Sequence, residues 1–426
     1  VTGDSIALLG SSLQADGSSG GGQILVGGDE RGANPAVPNA RRLYADAGTQ
    51  IGSDGLGSGS GGRVILYSRE FTQADALLSA RGGDEGGDGG FVETSGGYLS
   101  VGLVPDLIAP SGLPGEWLID PWDLVIQAAP LPPSAPTTFV SGSLFAWSST
   151  SASGSTAYLD VFTLSSALQA NSVTIATSSL EDVSHVSQPP GTGTITLASP
   201  LSVTASGATT LTLEAQDKVI LNADITVSPS PSGSLGLDLI APNGVTWNNS
   251  QVTGPVQVAV KSSVGATSPN GSVSVSGVLG RVQGGASLNA GSIALGTSSQ
   301  FLVNTGSSIQ YSLLYLGAGS VLDVNGPSFV NSVGSTINMQ GPPAWPSFSA
   351  AAIRVNDTSV GNGAFVNQGT LYVGQTFGPS LNISSGTLNV LSFDNQGTLV
   401  FDVQGGTSSH DILFVSAGAS VNLAGT

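Results

Sequence analysis

The stretch Asn367-Gln368-Gly369-Thr370-Leu371 returns 28 residues later as Asn395-Gln396-Gly397-Thr398-Leu399. Fainter echoes surround it. Gly271-Ser272-Val273 recurs as Gly291-Ser292-Ile293 at a spacing of 20, and the run from Leu211 recurs from Leu235 at a spacing of 24. Around these repeats the chain is built of short alternating runs such as Val64-Ile65-Leu66-Tyr67, Val273-Ser274-Val275 and Leu388-Asn389-Val390. Period-two runs of this length read as strands, and the Gly, Ser, Asn and Asp between them as turns. Irregular spacings of 20 to 28 fit a parallel β-helix, in which each coil is one rung and the turns vary in length. Propeller blades would repeat at about 40 residues or more. With roughly 22 residues per coil and about 4.8 Å per rung, the chain would make roughly 19 coils in a rod about 90 Å long.

Composition agrees. The 426 residues include 10 Lys+Arg, 28 Asp+Glu and 61 Gly, with no Cys and a net charge of −18. So few charges cannot furnish the ion pairs of exposed helices; residues 159–171 are the one short helix expected. Abundant β-branched residues argue against disorder. The negative charge and the lack of a basic stripe argue against nucleic acid as a partner. No run approaches the 18 or so apolar residues of a membrane span. In a β-helix, aliphatic residues point inward and Ser, Thr or Asn outward, with Gly or Asn at tight corners. Two proline-rich breaks, Ala128–Pro136 and Gly341–Pro346, read as excursions from the ladder.

The first 127 residues add a more particular signal. Gly22-Gln23-Ile24-Leu25-Val26-Gly27-Gly28-Asp29 is followed by Pro38-Asn39-Ala40-Arg41-Arg42-Leu43-Tyr44, then Gly59-Ser60-Gly61-Gly62-Arg63-Val64-Ile65-Leu66-Tyr67. Ala80-Arg81-Gly82-Gly83, Gly87-Asp88-Gly89-Gly90-Phe91-Val92-Glu93-Thr94-Ser95-Gly96 and Leu118-Ile119-Asp120-Pro121 complete the series. In order and spacing this resembles filamentous-haemagglutinin-like surface exoproteins of the two-partner-secretion type. The resemblance implies an all-β, right-handed parallel β-helix (β-solenoid) with loop excursions. It also implies an extracellular or cell-surface location on a Gram-negative bacterium, export of the precursor through an outer-membrane partner, and a role in adhesion or in surface and matrix fibres. Partners on this view are further copies of the chain, or a glycan or protein receptor on a host cell, a neighbouring cell or the matrix. The secretion domain of such exoproteins is not evident, and the chain is short for the family, which suggests a processed piece.

The organisation expected is a haemagglutinin-like β-helix module over 1–127, a proline-rich linker or loop over 128–140, and a continuing passenger-like β-helix over 141–426. The tail from His410 reads as autotransporter-type rungs.

No motif amounts to a catalytic constellation. Gly57, Gly59 and Gly62 satisfy G-x-G-x-x-G but lead into a strand, where dinucleotide binding needs a helix. Gly17-Ser18-Ser19-Gly20-Gly21 satisfies G-x-S-x-G without a supporting histidine motif at His185 or His410. Asp84, Glu85 and Asp88 in a glycine-rich loop are the candidate calcium ligands, since calcium takes carboxylate oxygens; an acidic turn is the plainer alternative. Asp120-Pro121-Trp122-Asp123 pairs acids with an aromatic, as sugar sites do, yet Asp-Pro normally starts a turn. A carbohydrate-active β-helix enzyme is the competing class. It would need at least three converging carboxylates beside Arg281 or a lysine, and Lys218 and Lys261 are isolated in the sequence. The sequons at Asn248, Asn270, Asn356 and Asn382 are about as many as chance places. Finally, Asn222, Asn289, Asn325, Asn338, Asn367 and Asn395 at the ends of runs suit either a buried amide ladder or simple turn placement.

Overall fold

In the computed structural model, residues 1–129, 137–140, 143–147, 156–177, 191–204, 207–228, 233–248, 250–263, 272–276, 280–283, 287–295, 300–303, 307–317, 320–325, 328–339, 352–356, 364–373, 380–383, 388–389, 392–396, 398–401, 412–415 and 420–422 are described. The chain is a parallel β-helix divided into two compact units, Val1–Val219 with Val227–Leu239, and Ile220–Thr226 with Ile240–Thr426.

In the first unit, alternation sends one side chain in two inward, and the parallel register stacks those residues coil upon coil. Ile24, Val64, Val92, Trp117, Val173 and Leu211 follow one another across five strand pairings, all buried. Two further faces complete each coil. One stacks Ile6, Leu43, Thr72 and Leu99, and the other Leu13, Ile51 and Leu78. Thr72 is the polar member of its column. It is fully buried, and its hydroxyl donates to the Ser95 carbonyl at 2.6 Å, which satisfies it inside an apolar stack.

The coils here are longer than the sequence suggests. From Ser5 to its partner Arg42 is 37 residues, from Arg42 to Phe71 is 29, and from Phe71 to Tyr98 is 27. The uniform figure of about 22 does not hold in this unit, because loops such as 27–40 add residues without adding a rung.

The coils approach closely at a glycine corner. A Cβ on Gly61 would stand 2.5 Å from the Gly90 nitrogen, and one on Gly89 would stand 2.4 Å from the Gly115 nitrogen. No side chain fits there at the existing coil spacing.

The ladder continues past the proline-rich stretch. Glu116–Asp120 pairs with Phe91–Ser95 on one side and Ser172–Ala176 on the other, while Asp123–Gln127 pairs with Thr156–Asp160. The last four residues assigned to a linker or loop, Thr137–Val140, are instead strand. They pair antiparallel with Ser143–Trp147, so the insertion between coils carries a hairpin; residues 130–136 lie outside the described set. The expected short helix is present as Val161–Ala167, with Val161, Leu164 and Ala167 buried at helical spacing.

In the second unit the column runs Val245, Val273, Ile293, Leu314, Ile337, Leu371, every member buried. A neighbouring face stacks Phe301, Leu322 and Ile353. Trp247 is fully buried, meets Phe301 edge to face at 5.9 Å and donates its indole N–H to the Ser250 carbonyl at 2.8 Å. Coils here are short. Ser272 to Ser292 spans 20 residues, Ser292 to Leu313 spans 21, and Leu313 to Thr336 spans 23. The Gly271/Gly291 echo is thus a true register, and so is the Asn367/Asn395 repeat, since Asn367 pairs with Asn395. The Gly341–Pro346 break and both histidines lie outside the described residues.

Candidate functional site

The three acids proposed for calcium do not converge. Asp84, Glu85 and Asp88 are exposed on their loop. The Asp88 carboxylate accepts the Leu113 N–H at 2.8 Å, and the Asp88 N–H donates to the Ser60 hydroxyl at 3.1 Å. The Asp84 carbonyl accepts the Ser111 hydroxyl, and the Glu85 N–H donates to the Gly57 carbonyl. Each bond ties one coil to another. Among the described residues, no group of three or more His, Cys, Asp or Glu is arranged to hold a metal ion. The Gly57, Gly59 and Gly62 run lies in the turn before the strand Arg63–Tyr67.

Asp120-Pro121-Trp122-Asp123 is likewise a joint. Asp123 Oδ1 accepts the N–H groups of Gly193 and Thr194, both at 2.8 Å, and Oδ2 accepts the Thr192 N–H at 3.1 Å. One carboxylate therefore organises the turn 191–194, as an Asp does when it stands in for missing backbone acceptors. Trp122 is buried against Gly97, where a Cβ would come within 2.3 Å of the indole.

Asp120 turns elsewhere, toward a cluster missed by motif inspection. The loop 27–40 folds back as a strap over the outward face of the main sheet of the first unit. Gly28 and Gly32 lie against the ring of Tyr67, which is why neither carries a side chain. Beneath the strap, Ile65, Glu93 and Leu118 sit in register on three successive strands, all buried although they point away from the coil interior.

Glu93 is fully buried. Its Oε1 accepts the Ser95 hydroxyl at 2.6 Å and the backbone N–H of Arg31 at 2.9 Å, and its Oε2 is buried without a hydrogen-bond partner. Loss of hydration raises its pKa to about 8; the bonds from Ser95 and Arg31 oppose the shift, and the charges of Asp120 and Glu30 add to it. At neutral pH the group is predominantly an uncharged acid.

Arg31 closes the cluster. Its guanidinium makes two bonds to Glu214, at 2.8 and 3.0 Å, and that bidentate pair holds it in the charged form. Its backbone has φ +52, the one positive value at a non-glycine residue among those described, which costs on the order of 1 kcal/mol. The adjacent Glu30 pairs with Arg63 at 2.6 Å, and Arg63 lies over the Phe91 ring at 5.1 Å. Asp29, Glu30, Arg31, Asn34, Gln23 and Arg63 line an open cleft of about 440 Å³ beside the strap. Asn34 and the Glu30 N–H both bond the Asp29 carboxylate and lower its pKa.

One sign of this site is visible in the sequence. Ile65 and Leu118 occupy outward positions where a bare β-helix face would carry polar residues, which marks a covered face. Glu93 between them is the buried acid.

In the second unit the asparagines divide. Asn331, Asn367 and Asn395 are buried. Asn331 Nδ2 donates to Asn367 Oδ1 at 2.7 Å, and Asn367 Nδ2 to Asn395 Oδ1 at 2.7 Å. The same nitrogens also donate to the carbonyls of Thr370 and Thr398. Phe329 and Phe365, two positions earlier, stack at 5.6 Å, and the Tyr311 hydroxyl donates to Asn331 Oδ1 at 3.3 Å. Burial raises the pKa of that hydroxyl. Asn331 is the member that the sequence did not suggest. Asn222 instead accepts from Asn248 on the surface, Asn289 donates to Gln310, and Asn338 Oδ1 is buried without a hydrogen-bond partner. The Asn325 side chain lies outside the described set. Comparison of the chain with protein-family models and with curated proteins finds no match to either.

Proposed function

We propose that the chain is a structural and adhesive β-helix module of a large bacterial surface exoprotein, working by stiffness and surface contact with no catalytic step. One observation carries the reading: the polar groups of the motifs that resemble filamentous haemagglutinins are engaged in joining coils. Asp88 bonds the Leu113 amide, Asp123 bonds three successive residues from Thr192, and the Arg81 guanidinium pairs with Asp106 at 2.6 Å. Residues consumed in this way build a scaffold. On this view the module lies outside a Gram-negative cell after export of its precursor through an outer-membrane partner. It either presents a receptor-binding flank to glycan or protein, or associates with further copies in surface or matrix fibres, end to end or laterally.

Electron microscopy of the purified protein over a range of concentrations, combined with binding to glycan- and protein-coated surfaces, tests this. Fibres support assembly, and saturable binding by isolated particles supports adhesion. Neither outcome, together with turnover of a polysaccharide, would favour the enzyme class. Glu93, Asp120 and Glu214 around Arg31 are the one carboxylate grouping relevant to that class. Glu93 and Asp120 are buried, however, so a sugar would reach them only after the strap had lifted.

A further inference from the structure

The strap 27–40 is pinned at its tip by three contacts to the first unit's main sheet. Glu30 pairs with Arg63 on the strand Arg63–Tyr67, the Arg31 N–H bonds Glu93 on Phe91–Ser95, and the Arg31 guanidinium bonds Glu214 on Ala208–Glu214. Its flanks add the Asn39 amide donating to the Gly32 carbonyl and the Ala40 N–H donating to the Gly27 carbonyl. Two of the tip contacts are partly exposed ion pairs, which hold weakly in salt solution. The third rests on the protonation state of an acid that the strap itself seals from water.

The charged groups around Glu93 can be counted. The strap contributes Asp29, Glu30 and Arg31; the strand Arg63–Tyr67 contributes Arg63; Glu116–Asp120 contributes Asp120; Ala208–Glu214 contributes Glu214. Arg63 is engaged by Glu30, and the guanidinium of Arg31 by Glu214. An ionised Glu93 would therefore meet the like charges of Asp120 and Glu30, with both nearby cations shared with other acids. Its Oε2 would also lack any donor while the strap is down. Lifting the tip would hydrate that oxygen and also release the positive φ at Arg31.

We propose that the strap is a proton-controlled latch: it stays docked while Glu93 carries its proton, and its tip lifts when Glu93 ionises, exposing the Ile65–Glu93–Leu118 strip and widening the adjoining cleft. The tip is thus tied down in neutral to acidic surroundings and loosens in alkaline ones.

Amide hydrogen exchange on the full chain, corrected for the intrinsic pH dependence of exchange, reads this directly. Strap amides, including Arg31 N–H, are expected to lose about tenfold or more of their protection between about pH 6 and pH 9, while the strand Arg63–Tyr67 keeps its own. Glu93→Gln, which cannot ionise, should hold the strap equally protected at both values. Asp120→Asn removes a charge that opposes ionisation and should move the transition to lower pH. Unchanged strap protection across the range in the native protein would overturn the latch, as would the same loss in Glu93→Gln. Should Glu93→Gln fail to fold, a transition in Asp120→Asn at the unshifted pH would overturn it equally.

Discussion

The two units solve one problem with different chemistry. Both stack aliphatic columns in parallel register, but the first adds long loops, a glycine corner, ion pairs such as Arg42–Glu70 and Arg81–Asp106, and a buried acid beneath a strap. The second has coils as short as 20 residues and fixes its interior with asparagine amides and stacked phenylalanines. An uncharged amide satisfies its own donor and acceptor along the stack at any pH, whereas a buried carboxyl does so in one protonation state. The contrast teaches that coil length and pH response go together: only a loop long enough to fold back can bury a titratable group on an outward face.

The largest effect should come from the columns. Trp117→Ala empties a fully buried site and cuts the bond from its indole to Thr94, at a cost of about 3–5 kcal/mol. Exchange protection should collapse in the first unit and persist in the second. Collapse in both would mean that the two fold as one cooperative body.

Next comes pH. Glu93 titrates near 8 in the folded chain and, as an ordinary carboxyl, near 4.5 when unfolded. A raised carboxyl contributes its full stability below the unfolded value and loses it as pH climbs to the folded one. Denaturant titrations should therefore show the first unit losing stability between about pH 4.5 and pH 8 and levelling off above. The fall should amount to about 2–4 kcal/mol, capped by the cost of lifting the strap. The second unit should be flat over that range, and Glu93→Gln should flatten the first.

Asn367→Ala comes third. It strands the amide of Asn331 on one side and the carbonyl oxygen of Asn395 on the other, at about 2–3 kcal/mol. The loss should appear as faster exchange of Gln368 and Gln396, whose N–H groups bond the neighbouring asparagine carbonyls. Arg81→Gln should be smallest, under about 1 kcal/mol, because both partners of that ion pair are partly exposed. Half a molar salt should shrink even that difference.

Repetition made the second unit legible. Ser272 over Ser292 and Asn367 over Asn395 are registers that can be read directly, because short coils keep equivalent residues at constant offsets. Asn331 was hidden by an insertion. It precedes Thr336 by five residues, where Asn367 precedes the paired Thr370 by three, so the ladder continues while the pattern breaks. The motifs of the first unit marked their joints without revealing the strap, since Glu93 meets Arg31 across 62 residues and Arg31 meets Glu214 across 183. Pairings of that kind leave no local period. The average coil length failed for the same reason, as strap residues count in the spacing and not in the rung.

The amide ladder also has a direction. Each nitrogen is held by the carbonyl of Thr370 or Thr398, so the amides cannot flip, and every donor points toward the later coil. The row behaves as a one-way queue of dipoles, with acceptor and donor ends that are not interchangeable. Asn395→Asp leaves an acceptor facing the Asn367 donor, whereas Asn331→Asp sets oxygen against the oxygen of Asn367. The same substitution should therefore be tolerated at one end of the queue and rejected at the other, giving this stretch of solenoid a polarity that its near-repetitive backbone lacks.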